Sequence, residues 1–285
     1  MMNVKHCFAQ VALPFCLMLL SCAAFGQNVS LENAFAHNDY SHKRPLYDAL
    51  DNGFTHVEAD IYLRNGRLLV AHILPMVESK GTLESLYLAP LKDCINGKNR
   101  MALQPKSPIT LMVDIKSNAN KTYIVLEALL QKYRSIISGY ENGTYVQRQI
   151  NVVITGNKPY KKIKDERNRL AFIDEDLTKT YHDTLTNNLY QTASCKYSKM
   201  LGWNGKGEMP QAQRKKLCAF VSMAHRFGKK VRLWASPENE KVWNGLLSCG
   251  VDLINTDKLA ELKKFLQAKN TVYADAEQTD VLIQN

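Results

Sequence analysis

The sequence predicts an α/β fold in which eight parallel strands, each followed by a helix, close into a (β/α)8 barrel. Three observations carry this. Apolar, β-rich runs recur eight times with helical patterns between them, which implies βα units and a parallel sheet. The chain has 285 residues, and the portion beyond an N-terminal leader suits one large domain with its own core. Ionisable residues collect at the ends of the apolar runs, where a parallel barrel presents its chemistry.

The leader spans residues 1–26. It holds one Lys, an apolar stretch over 11–20, and the small residues Ala24 and Gly26 at the −3 and −1 positions of a cleavage site. The stretch is short for a bilayer span, so a cleaved signal peptide and an exported product (periplasmic, cell-surface or secreted) are expected. Leu20-Ser21-Cys22 resembles a lipoprotein box only loosely, and lipid anchoring at Cys22 is the lesser alternative. No later segment is long and apolar enough to cross a membrane. One domain is expected over 27–268, followed by an aperiodic tail over 269–285.

Within the domain, strands are expected near residues 33–37, 56–60, 109–115, 151–155, 170–173, 198–203, 230–235 and 251–255. The helices between them carry their own signals. The segment 45–53 opens on Pro45, suited to a first turn, and stops at Gly53. Over 122–137, Leu126, Leu129, Leu130, Tyr133, Ile136 and Ile137 fall at spacings of three and four on one stripe. The segments 210–227 and 239–248 end at Gly228 and Gly250. One interval breaks the rhythm, with an apolar pattern over 83–91 and a polar, irregular run over 96–108. A connection this long builds a lid or binding wall, or is a plain surface insertion.

The formal charge of +10 would attract phosphorylated or anionic substrates. No basic run is interleaved with aromatics in the pattern of a recognisable nucleic-acid-binding module, so a nucleic-acid partner is not expected, and the dense run 158–164 reads as a solvated face. Of seven cysteines, Cys7, Cys16 and Cys22 lie in the leader. Cys94, Cys195, Cys218 and Cys249 form no C-x-x-C pair, which argues against zinc and for buried thiols or an incidental disulfide. Nothing implies a protein partner.

The chemistry rests on an ordered polar set: His37, Glu58, Asp60, His72 and Asp114. Glu58 and Asp60 stand two apart on a strand, hence on one face, and would repel each other without a cation or protons. Asp114, closing the next strong strand, adds a third oxygen donor. An all-oxygen set suits Mg²⁺ or Ca²⁺. His37 and His72 have the right type for general acid and base. Lys116 shares the face of Asp114 and either neutralises a phosphate oxygen or pairs with the acids. Together these groups suit metal-dependent phosphodiester cleavage.

The same residues carry a resemblance. H-N-D-Y, R-P-L-Y-D-A-L, G-F-T-H-V-E-A-D-I-Y-L, L-L-V-A-H, T-L-E-S-L-Y-L-A-P-L, V-D-I-K, V-R-L-W-A-S-P-E-N and G-V-D-L-I-N-T-D resemble the PLC-like phosphodiesterase superfamily. Within it, the motifs are most similar to the altered inheritance of mitochondria protein 6 family. The resemblance spans nearly the whole mature chain. It implies a TIM barrel of PLC-like phosphodiesterase type with His37 and His72 as the acid–base pair, His37 as the base, and Glu58, Asp60 and Asp114 as metal ligands. Lys116 becomes a phosphate contact. Asn38 stands where glycerophosphodiesterases carry an Arg, and an Asn there ligates the metal in calcium-dependent phospholipases C, so Asn38 is a candidate fourth ligand. Asp114 replaces the usual Glu, and its D-x-K resembles the sphingomyelinase D arrangement. The implied substrate is a glycerophosphodiester or phospholipid-type diester, which would bring the chain to a membrane surface. Two other readings compete: a non-catalytic barrel that binds a lipid headgroup or glycan, and a metal-dependent hydrolase of C–N or C–O bonds. The latter normally wants His-x-His, where this chain has Glu-x-Asp.

Overall fold

A computed structural model describes residues 30–73, 81–98, 108–180 and 189–283, with side chains as far as Thr271. The leader, and with it the cleavage and anchoring expectations, lies outside the described residues.

Eight strands form the closed parallel barrel: β1 (Leu31–Ala36), β2 (Phe54–Arg64), β4 (Ile109–Ile115), β7 (Ile150–Gly156), β8 (Phe172–Asp176), β9 (Tyr190–Lys196), β10 (Lys230–Trp234) and β11 (Leu253–Thr256). Closure comes from β1, which pairs in parallel with both β11 and β2. Two ribbons decorate it. The strand β3 (Arg67–Val70) folds back antiparallel on the end of β2, and β5 (Gly139–Glu141) pairs with β6 (Thr144–Val146). Both ribbons turn on an Asn-Gly pair in the left-handed region, Asn65-Gly66 (φ 49° and 72°) and Asn142-Gly143 (φ 51° and 81°). That geometry matches the twist of a two-residue hairpin.

Alternation sorts the residues of each barrel strand. On β2, Val57, Ala59 and Ile61 face the helices, while His56, Glu58 and Asp60 face the barrel axis. Phe35, Met112, Val153, Phe172 and Leu253 fill the interior as a small separate core. The main core lies outside it, where Leu126, Leu130, Val221, Val242, Trp243 and Leu262 press the helices onto the strands. Fully burying each such side chain contributes roughly 1.5–3 kcal/mol.

The expected helices are present as Tyr47–Asp51, Ala119–Lys132, Gln211–Arg226 and Glu240–Ser248. Asn118 caps the second, accepting from Lys121 N at 3.0 Å, and residues 133–137 continue in turns with their apolar side chains still buried. The apolar pattern of 83–91 becomes a π-helical turn, Glu84–Leu88, running into the helix Ala89–Ile95. The final helix, Leu259–Ile283, runs unbroken through residue 269, where the sequence shows no period.

One expected strand is misplaced. Residues 198–203 hold a helical turn, Tyr197–Met200, and then a connection; the strand is Tyr190–Lys196. The reason is what β9 turns inward. Thr192 and Ser194 both donate to the buried carboxylate of Asp174, so the strand lacks the apolar run that marks its neighbours.

Candidate active site

Seven sequence-predicted residues meet at the C-terminal mouth of the barrel, and four elements bring them. The end of β2 carries Glu58 and Asp60 into the interior, nearly fully buried. Asp60 lies level with Asp114 in the β2–β4 register, so their carboxylates sit side by side. His37 and Asn38 come directly after β1. The ribbon strand β3 delivers His72, because its pairing with β2 continues through Ala71 N to Asp60 O at 3.2 Å.

The three carboxylates each place one oxygen within 4.8 Å of the others'. In the same three residues, Glu58 Oε2 and Asp114 Oδ1 are buried without a hydrogen-bond partner. Buried acceptors of this kind are costly unless something fills them. Three carboxylates, two of them buried and Asp114 half-buried, face only two fixed positive charges. Arg232, itself buried, donates through Nη1 to Glu58 Oε1 (3.1 Å) and Asn255 Oδ1 (3.0 Å). Lys116 Nζ bridges Asp114 Oδ2 (2.7 Å) and Asp60 Oδ2 (3.2 Å). The excess negative charge, the orphaned oxygens and the all-oxygen donor set fit a hard divalent cation. Gly156 completes the cradle. It closes β7 at φ 69°, and a Cβ there would collide with Asp114 Oδ1.

Each imidazole is tied by its Nδ1. His37 Nδ1 lies 2.9 Å from Asp257 Oδ1, which turns Nε2 toward Glu58 Oε2 at 3.6 Å. His72 Nδ1 lies 3.0 Å from Asp60 Oδ2 and 3.2 Å from the Tyr40 hydroxyl. The same hydroxyl donates to Asn38 Oδ1 at 2.7 Å, so Tyr40 links the Asn38 side to the His72 side. Asn38 sits in the left-handed region at φ 45° with Nδ2 3.0 Å from His37 Nδ1.

Environment tunes these groups. Burial works to lower the His37 pKa, but the Asp257 hydrogen bond and the negative charges of Glu58 and Asp257 outweigh it, and the net shift is upward. Burial pushes Glu58 up, yet the Arg232 guanidinium and His37 hold its carboxyl below the usual range. For Asp114 burial wins over Lys116 and the pKa rises. Burial disfavours the Lys116 ammonium, but Asp114 and Asp60 more than restore it. Burial and the neighbouring Asp60 keep the Tyr40 hydroxyl protonated.

Sequence reasoning missed Asp257, Arg232 and Tyr40. Asp257 and Arg232 stand within the closing motifs N-T-D and V-R-L-W, but nothing local tells their strand ends from any others. Tyr40 lies in H-N-D-Y and reads as an ordinary core aromatic.

A family model described as the AIM6-like phosphodiesterase domain matches residues 23–174. The chain belongs to this family. The match takes in His37, Asn38, Glu58, Asp60, His72, Asp114 and Lys116, and leaves Arg232 and Asp257 beyond it. The chain is 30% identical over 271 residues to altered inheritance of mitochondria protein 6 of Eremothecium gossypii, covering 82% of this chain and 69% of that one. It is 25% identical to the homologue from Arthroderma benhamiae, covering 81% and 82%. Among solved structures, a glycerophosphodiester phosphodiesterase from Parabacteroides distasonis superposes with a TM-score of 0.55 at 15% identity, covering 84% of this chain and 98% of that one. That likeness is one of fold.

Proposed function

We propose that this family member is an exported, divalent-cation-dependent phosphoric diester hydrolase acting on a glycerophosphodiester or phospholipid-type diester. One observation carries the reading: two imidazoles, each just beyond a different strand, flank a largely buried carboxylate triad within 3.6 Å. Asp257 holds His37 by Nδ1, so Nε2 takes the proton of the nucleophile, a water or a neighbouring hydroxyl of the substrate. The Asp257 carboxylate then stabilises the imidazolium. His72, steadied by Asp60 and Tyr40, returns a proton to the leaving alkoxide. Lys116 supplies positive charge to a phosphate oxygen, and Arg232 keeps Glu58 ionised in its buried position. A cation held by Glu58, Asp60 and Asp114, with Asn38 as a fourth donor, would act as the Lewis acid for the phosphate. Export draws support from the leader and from the Cys218–Cys249 disulfide, a bond that persists in oxidising compartments.

The test is turnover of bis-p-nitrophenyl phosphate. His37→Ala and His72→Ala should each lose about 10²-fold or more while remaining folded. Excess chelator should abolish turnover, with Mg²⁺ or Ca²⁺ restoring it; full activity in chelator sinks the cation. Absence of turnover with either cation favours the non-catalytic binder. A panel of glycerol and lipid phosphodiesters read by phosphorus NMR then identifies the substrate and whether the product is a cyclic phosphate.

A further inference from the structure

We propose that the opposite, N-terminal mouth of the barrel holds a second ligand site, one that takes a small anion carried on a flat ring. A cavity of about 430 Å³ opens there, and its floor is made by inward residues at strand beginnings, including Thr110, Val153, Phe172 and Thr192. Thr110 lies four residues before Asp114 on β4, which places the cavity about 13 Å from the carboxylate triad along the strand. The two sites therefore sit at opposite ends of one barrel.

The lining selects the ligand. Its walls are aromatic: Tyr140 and Tyr145 from the β5–β6 ribbon on one side, Tyr190 and Phe227 on the other. Tyr140, Tyr145 and Phe172 cluster with ring centroids 5.8–6.4 Å apart, and the Arg169 guanidinium stacks over Tyr140 at 4.2 Å, so the aromatic wall is braced in place. The amides of Asn151 and Gln191 add directional hydrogen bonds. No carboxylate lines the cavity, whereas Lys230 does. Its ammonium makes no hydrogen bond or ion pair with any described residue. An unpaired cation among aromatic rings and amides favours an anion with an apolar body.

The base of a barrel of this kind ordinarily serves stability alone. Here it is hollow, polar in places and positively charged.

The experiment is calorimetric titration of the full mature chain with phenylphosphonate, which resists hydrolysis, and with glucose 6-phosphate, whose ring is neither flat nor apolar and which should bind more weakly. Binding of phenylphosphonate supports the site, provided that Lys230→Met weakens it at least about tenfold, as loss of a charge-assisted contact should. Tyr145→Ala, on the exposed ribbon, should weaken it too, and Lys116→Met should not. Phenol and inorganic phosphate, the two halves of the probe, should each bind more weakly. Loss of binding in Lys116→Met but not in Lys230→Met would put the probe in the catalytic mouth and overturn the proposal. So would equal binding of phenol or of glucose 6-phosphate, or no binding of phenylphosphonate.

Discussion

Asp257 shows how much of the site depends on a single partner. Its carboxylate fixes the ring of His37 and raises the imidazole pKa, so Asp257→Asn should undo both. We expect kcat/KM to fall about 10–100-fold, the worth of one charge-assisted hydrogen bond. The acidic limb of its pH profile should also move to lower pH, because a base with a lower pKa stays competent further into acid. A profile that keeps its position would assign Asp257 a purely structural role. His56 makes the converse case. Burial, with Lys230 and Arg232 adding positive charge, lowers its pKa from 6.5 to about 3. The unfolded chain therefore binds a proton that the folded chain refuses between those values. The stability His56 leaves intact above pH 6.5 is lost progressively as pH falls toward 3. Urea midpoints measured from pH 7 to pH 4 should decline less steeply in His56→Gln. The acids and histidines at the mouth were legible in the sequence because most of them end an apolar run and Glu58 and Asp60 stand two apart within one. Asp257 and Arg232 were not, since their roles exist only once the barrel closes and β10, β11 and β1 reach β2.

Ribbons and strands were legible in proportion to how ordinary their inward faces are. The strands β1, β2, β4, β7, β10 and β11 announce themselves by apolar residues. The strand β9 hides because Thr192 and Ser194 serve Asp174. Both Asn-Gly ribbons were visible in principle, since that dipeptide between short extended runs is a strong hairpin signal. The spacing of βα units overshadowed it. The end of β7 matters for the site as much as the end of β2, because Gly156 leaves room for Asp114. Gly156→Ala adds a Cβ to a backbone at φ 69° and into the Asp114 carboxylate. We expect destabilisation of about 1–3 kcal/mol together with weakened Mg²⁺ or Ca²⁺ binding by calorimetry. Unchanged cation affinity would remove Asp114 from the ligand set.

At the scale of the molecule, the barrel closes through β1, so the first and last strands of the domain are neighbours and the fold is complete only when both ends of the chain are in place. The Cys218–Cys249 bond ties the helix Gln211–Arg226 to the end of the helix Glu240–Ser248, closing a loop of 31 residues around β10. Removing that constraint should cost about 3–4 kcal/mol on chain-entropy grounds. For a domain of this size that lowers Tm on the order of 10 °C. Reductant should produce the same drop in the parent chain and none in the Cys218→Ala, Cys249→Ala double variant. A drop in both would locate the effect elsewhere.

The β2–β3 ribbon divides the catalytic mouth into parts of unequal permanence. His37, Glu58, Asp60 and Asp114 ride on the hoop itself, where a shift in one strand is resisted by both neighbours. His72 hangs from an outrigger, half solvent-facing at 58% exposure and pinned to the hoop through Asp60 and Tyr40. Lengthening or trimming that arm would therefore reposition the proposed proton donor while the carboxylate cradle stays intact. On the proposed mechanism, it is the place where the barrel would trade one leaving group for another without being rebuilt.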